Sequence, residues 1–360
     1  TPNGIPNDSI AAQSALDGQE ISVGATFTMQ DVLNGKLAYA HDNSLPGRDG
    51  FDFTAENPGD AGTLITGRFD MQIVTPPGGL DLIGDNGANS LIGSKVADRF
   101  IGASGDDQLV GNGGADAFNA GLGNDRISGG AGDDFIIASL GNDEVTGDAG
   151  DDTIIGGPGD DRLFGNDGDD QINAGPGQNQ AFGGNGDDEI RGGNQVDQIF
   201  GEAGDDDVEA LGGNDRVFGG DGDDRLNGGA GNDRLFGEAG SDFLIGGSGA
   251  DVIFGGNDND IIVGGAGNDL MNGDAGNDRL LGLTGNDVMT GGAGRDVFVF
   301  AAGGGNDQIV DFQQGQDLIR INGAAFTFTD IVFNTLSGSL EIVLPTTDTI
   351  TLQNLAGITL

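Results

Sequence analysis

Between Gly228 and Gly256 the chain reads GGAGNDRLF GEAGSDFLI GGSGADVIF GG, three near-copies of one nine-residue phrase. Each copy has an aspartate in its sixth slot (Asp233, Asp242, Asp251) and an aliphatic residue in its eighth (Leu235, Leu244, Ile253). Slots seven to nine alternate about an inward slot eight, the period-two pattern of a short strand. Slots one to six are rich in glycine, aspartate and asparagine, which tolerate positive φ and make turns. The phrase is therefore a turn followed by a strand, and two phrases close one coil of 18 residues.

Working outward in both directions, the phrase repeats 24 times without insertion or deletion, from Gly84 to Val299. Slot one is glycine except at Ala120, Ala138, Ala174 and Ala210, and slot four is glycine except at Val96, Gln195 and Asp258. Slot six is aspartate in 22 of the 24 units, with Asn89 and Asn179 as the departures. Slot eight is apolar throughout, although only alanine at Ala181. Phrases n and n+2 stack in one sheet, so the expected fold class is all-β, a parallel β-roll (β-solenoid) of about 12 coils. At about 4.8 Å per coil this makes a rod about 55–60 Å long, with a ladder of turns along each of two opposite edges.

Composition narrows the partners. The 360 residues include 73 glycines, no cysteine and no tryptophan, and carry a formal charge of −45. Disulfides and zinc–thiolate sites are excluded. Nucleic acid and anionic membrane surfaces are repelled, and no apolar run is long enough to span a bilayer. Cations are the natural counterpart. The first residue is Thr1 and no basic-then-apolar leader follows it, so the expectation is a processed chain or an export signal elsewhere.

Stacking brings the slot-six aspartates of units n and n+2 within a few ångströms, which like charges do not tolerate without a cation between them. One ladder holds Asp107, Asp125, Asp143, Asp161, Asp197, Asp215, Asp233, Asp251, Asp269 and Asp287. The other holds Asp98, Asp116, Asp134, Asp152, Asp170, Asp188, Asp206, Asp224, Asp242, Asp260, Asp278 and Asp296. Calcium takes six to eight hard oxygens with flexible geometry, which carboxylates and the carbonyls of glycine-rich turns can supply; magnesium demands a stricter octahedron. Eleven gaps per ladder, set against 42 acidic and 10 basic residues in the roll, give an expectation of about 16–22 calcium ions. Units 174–182 (AGPGQNQAF, with Gln178, Asn179 and Ala181) and 192–200 (with Gln195) stack directly. A weakened or missing ion is expected there, with asparagine coordinating through its carbonyl as the alternative.

The pattern G-G-x-G-x-D-x-U-x over residues 84–299 resembles the nonapeptide of RTX proteins, and that resemblance implies a calcium-binding parallel β-roll. Residues 1–75 do not follow the nonapeptide. Phe27, Thr28, Asp31, Gly35, Leu37, Tyr39, His41 and Asp42, then Phe51 and Phe53, resemble the second half of a cadherin-like repeat of chondroitin sulfate proteoglycan type. This implies a partial β-sandwich, whose open edges could accept a strand from another chain. Residues 76–83 read as a linker, and 300–360, with alternating apolar and polar residues, as a β cap resembling the region after RTX repeats.

Slot nine faces outward, yet Phe164, Phe182, Phe200, Phe218, Phe236 and Phe254 fill it in six successive coils of one sheet. That column is about 24 Å long and is a candidate interface, for which the alternative is internal stabilisation of the sheet by stacked rings. Arg162, Arg216 and Arg234 in slot seven share its face.

Catalytic constellations are missing from the sequence. His41 is the single histidine, which rules out an H-E-x-x-H site, and no G-x-S-x-G elbow occurs. The paired aspartates fit calcium ligation better than glycosidase chemistry, because their register runs the whole roll. The expectation is a non-enzymatic, secreted or cell-surface structural protein that self-associates into fibres or matrix, with calcium as its folding switch. The alternative is a calcium-dependent folding and secretion module of a larger RTX enzyme or adhesin.

Overall fold

The computed structural model describes residues 49–56, 64–71, 79–322, 332–336, 339–344 and 348–353. It divides into two compact units, Thr1–Pro76 and Pro77–Leu360. In the first, the strands Asp49–Glu56 and Leu64–Met71 form an antiparallel pair with Phe51 opposite Phe69 and Phe53 opposite Gly67. The rest of the motif read as cadherin-like, from Phe27 to Asp42, lies outside the described residues.

The second unit is built from two sheets, one of 16 strands and one of 14; through the roll they are parallel and successive neighbours are alternate strands of the chain. This is the all-β parallel solenoid that the nonapeptide predicts. The register is 18 residues per coil, as in Phe164 opposite Phe182 and Phe182 opposite Phe200. Coiling begins with the strand Asp81–Ile83, inside the stretch read as a linker. The described residues contain no helix, and so none that could cross a membrane.

The core is a single file of slot-eight side chains from each sheet. Leu109, Ile136, Leu163, Ile190, Val217, Leu244, Met271 and Phe298 are all fully buried. Each such burial is worth about 1.5–3 kcal/mol, which must offset the entropy of ordering a glycine-rich coil. Slot one also points inward and has little room. A Cβ at Gly219 would overlap Asp224 Oδ2 of its own turn, so this glycine is what lets the carboxylate fold under the backbone. Slot four makes the sharp corner. Gly249 has φ +133°, and a Cβ there would overlap the Gly231 carbonyl of the coil below. Slot two also turns left-handed, and several turns place non-glycine residues there, including Asn166, Glu202, Leu211 and Leu283. Proline in slot three (Pro158, Pro176) offers no N–H to the ladder, and the strands entering those turns are short, Thr153–Ile155 and Gln171–Asn173.

The roll does not stop at Val299. Asn306–Ile309 and Leu318–Asn322 add one parallel strand to each sheet. Thr349–Leu352 then pairs in parallel with Asn306–Ile309, Ser339–Val343 pairs antiparallel with it, and Val332–Leu336 pairs antiparallel with Ser339–Val343 to end the 16-stranded sheet.

Candidate metal-binding ladders

Every slot-six aspartate of the roll is buried, at 0–4% exposure. The strand that follows each one fixes the carboxylate, because slot eight anchors inward and slot six sits at the bend. One oxygen is used along the ladder: from Asp98 to Asp278 the amide of each aspartate donates to Oδ1 of its equivalent 18 residues on. Asp206 N to Asp224 Oδ1 is 2.9 Å, Asp224 N to Asp242 Oδ1 is 2.9 Å, and Asp116 N to Asp134 Oδ1 is 2.7 Å. The other oxygen is left over. In 20 of the 22 aspartates, Oδ2 is buried and accepts no hydrogen bond. Native proteins seldom leave buried polar atoms unpartnered, and an unpartnered buried carboxylate oxygen is more costly still.

The electrostatics agree. Burial, partly opposed by the backbone N–H and in most cases reinforced by neighbouring carboxylates, raises many of the ladder groups above the usual carboxylate value. Asp224 and Asp260 are pushed up to about 7, and Asp134 and Asp233 to about 6. Near neutral pH, a column of such groups calls for a positive partner.

The donor set is hard oxygen. Among the described residues no three acidic or imidazole side chains converge, so a cation would be held by carboxylates together with backbone carbonyls. Turn 174–179 displays those carbonyls: Asn179 Nδ2 donates to Gly175 O at 3.0 Å and to Gly177 O at 3.3 Å. In the other turns, the orphaned Oδ2 and the carbonyls of slots two and four would hold calcium, which supplies the charge that the ladder lacks. The residues present fit that ion.

The structure therefore brings the 22 aspartates into the two ladders expected, but it does not make them equivalent. Asp98 and Asp197 have both oxygens occupied: Asp98 Oδ2 accepts from Ser94 N at 2.5 Å and Asp197 Oδ2 from Gly193 N at 2.7 Å. Their turns carry Val96 and Gln195 in slot four, in place of the left-handed glycine found in most turns.

Sequence reasoning passed over two further ladder positions. Asp307 Oδ1 accepts from Asp287 N at 3.0 Å, and Asp317 Oδ1 from Asp296 N at 3.1 Å. Burial pushes Asp307 up to about 6. The signal was present in GNDQIV (305–310) and GQDLIR (315–320), which are phrase endings displaced by short insertions. A second hydrogen-bonded column, from slot five, also went unread. Asp151, Asp169, Asp187 and Asp205 each accept from the next slot-five amide, at 2.8–3.0 Å. Its bonds run opposite in sense to those of slot six.

The six phenylalanines form one continuous stack, with ring centroids 4.7–5.3 Å apart and planes within 8° of parallel. Each ring covers its neighbours' faces and is half-buried, so the column presents ring edges to the outside. The Arg162 guanidinium lies over Phe164, 5.3 Å from the ring centre.

A family profile described as the RTX calcium-binding nonapeptide repeat matches in overlapping segments from residue 83 to residue 309, more than half of the chain. The matched segments do not include residues 1–82. Comparison with curated proteins found no match. Among solved structures, the chain is similar to an extracellular lipase from Serratia marcescens at 19% identity and a TM-score of 0.27. The alignment covers 50% of this chain and 39% of the lipase, so the chain spans well under half of that protein.

Proposed function

The chain belongs to the RTX calcium-binding nonapeptide repeat family, and from that premise we propose that it is a secreted structural protein whose calcium-loaded roll assembles into extracellular fibres or matrix. The observation that carries the calcium switch is the set of 20 buried Oδ2 atoms with no protein partner. At cytosolic, submicromolar calcium the ladders repel and the chain stays open enough for export, by the type I route usual for RTX proteins. Outside, millimolar calcium binds only the folded roll and stabilises it by mass action.

Self-association is supported by the stacked phenylalanine column, an apolar strip on the outside of an otherwise acidic roll. On this reading the chain is itself no enzyme, and calcium serves folding and assembly rather than catalysis. Electron microscopy of the purified chain in millimolar calcium, beside the same sample in chelator, tests assembly. Fibres in calcium that dissolve in chelator are expected. Dispersed short particles in calcium would contradict the fibre reading and favour a folding and export module of a larger protein.

A further inference from the structure

Four turns of the repeat leave no slot-six carboxylate oxygen unpartnered, and two of them are neighbours in the middle of one ladder. The first of these two is turn 174–179. Asn179 is 2% exposed, and its Oδ1 accepts from Asp161 N at 3.0 Å, as the equivalent aspartates do. Its Nδ2 occupies the remaining position and donates to Gly175 O and Gly177 O. Reversing the amide to offer oxygen there would set its N–H groups against the Asp161 amide, so the bond from Asp161 fixes the orientation.

The next turn up the same ladder, 192–197, closes differently. Asp197 is fully buried, and both of its oxygens are used, by Asn179 N at 2.7 Å and by Gly193 N at 2.7 Å. Slot two is left-handed on either side, at Gly175 (φ +84°) and Leu211 (φ +74°), but Gly193 is not among the residues with positive φ. Gln195 occupies slot four between Gly177 (φ +148°) and Gly213 (φ +145°), and a glutamine disfavours that left-handed corner. With the corner flattened, the Gly193 N–H swings onto the carboxylate and points its positive end where a cation would sit. The glutamine side chain also reaches back, its Oε1 accepting from Gly177 N at 3.1 Å, which ties the two turns together.

We infer that turns 174–179 and 192–197 close on their own hydrogen bonds and take no calcium, so that one ladder is interrupted at mid-roll while the other runs past without a break. The opposite ladder keeps an orphaned Oδ2 at Asp170, Asp188 and Asp206 alongside the gap. Calcium on the interrupted edge is thereby split into two arrays, one ending at Asp161 and one starting at Asp215, joined by amide chemistry. The inference rests on the calcium reading and refines where the ions go.

Two measurements test it. A long-wavelength anomalous diffraction map of the calcium-loaded wild-type chain should show ions beside Asp188 and Asp206 and none beside Asn179 or Asp197. An ion at either of the latter positions overturns the inference, whereas a map with no ions anywhere would instead overturn the calcium reading beneath it. In native mass spectrometry, the double variant Asn179→Asp, Gln195→Gly should carry one or two more calcium ions than wild type, with an unchanged circular dichroism spectrum. An equal count in equally folded chains also overturns the inference. Should the double variant not fold, the single Asn179→Asp variant is expected to gain one ion, and an unchanged count there counts against the inference.

Discussion

Replacing Asp224 by asparagine should stabilise the roll without calcium and weaken its response to calcium. Asp224 Oδ1 would go on accepting from Asp206 N, while Nδ2 would replace an oxygen that has no partner. Asn179 shows where such a nitrogen goes: to the slot-two and slot-four carbonyls of its own turn, here Gly220 and Gly222. Burial first, then Asp242, Asp205 and Asp223, raise Asp224 from 3.8 to about 7. At about pH 7.5, a shift of that size corresponds to roughly 4 kcal/mol of penalty for the folded, ionised group, and discounting for solvent near the turn leaves on the order of 2–4 kcal/mol. The variant escapes this penalty, so in chelator it should lead wild type by about 3 kcal/mol. Wild type gains about 1.4 kcal/mol per tenfold rise in free calcium above the Kd of this site, and the variant forgoes that gain. The two should cross at roughly 150 times Kd. Urea unfolding followed by circular dichroism, from chelator through graded free calcium, reads both quantities. A variant less folded than wild type in chelator, or one with the same calcium slope, would refute the reasoning.

Other perturbations separate the remaining parts of the account. In chelator, acid should partly replace calcium. Folded values such as about 7 for Asp224 and about 6 for Asp134 lie above the unfolded 3.8, so the folded roll takes up protons and its stability is lost as pH rises through the folded values. Circular dichroism of the chelated chain should therefore gain β-signal between about pH 7.5 and pH 5, and a loss of signal would count against buried, ionised ladders. Gly249→Ala should cost about 3 kcal/mol or more in urea unfolding, because its Cβ has no room at the Gly231 carbonyl; a neutral result would mean the corner is looser than described. Leu211→Gly should stabilise the roll in urea unfolding by up to about 1 kcal/mol of relieved left-handed strain, and a destabilised variant would count against strain at that turn. Phe218→Ala should cost about 2 kcal/mol by opening the stack at two contacts, and should lower self-association in analytical ultracentrifugation if the column is the seam.

The repeat made most of the roll legible because its constraints are local and periodic. Slot eight had to be apolar, slot six acidic and slot four able to turn left-handed, and the rules held across stacked coils from Gly84 to Val299 apart from Asn89 and Asn179 in slot six and Val96 and Gln195 in slot four. The sequence marked the units holding Asn179 and Gln195 as the place for a weakened or missing ion, but not the mechanism. Asp197 and Asp206 share a phrase position, but Gln195 changes the backbone two residues before one of them, and only the turn geometry shows that both oxygens of Asp197 are consumed. The coils at Asp307 and Asp317 were hidden by a spacing of 20 and 21 residues in place of 18, which a strict period rejects although the hydrogen bonds accept it. The phenylalanine column was legible as a register, but not in orientation. Whether the rings face outward or face one another depends on side-chain rotation, and they stack face to face.

The most direct test of the central claim, that the buried aspartate ladders require cations, is far-ultraviolet circular dichroism at near-neutral pH. The chain is compared in millimolar calcium and in chelator, at equal ionic strength. The account predicts a β-spectrum with cooperative melting in calcium, and loss of most of that structure in chelator, restored when calcium is returned. The same spectrum and the same melting curve in both solutions would contradict it.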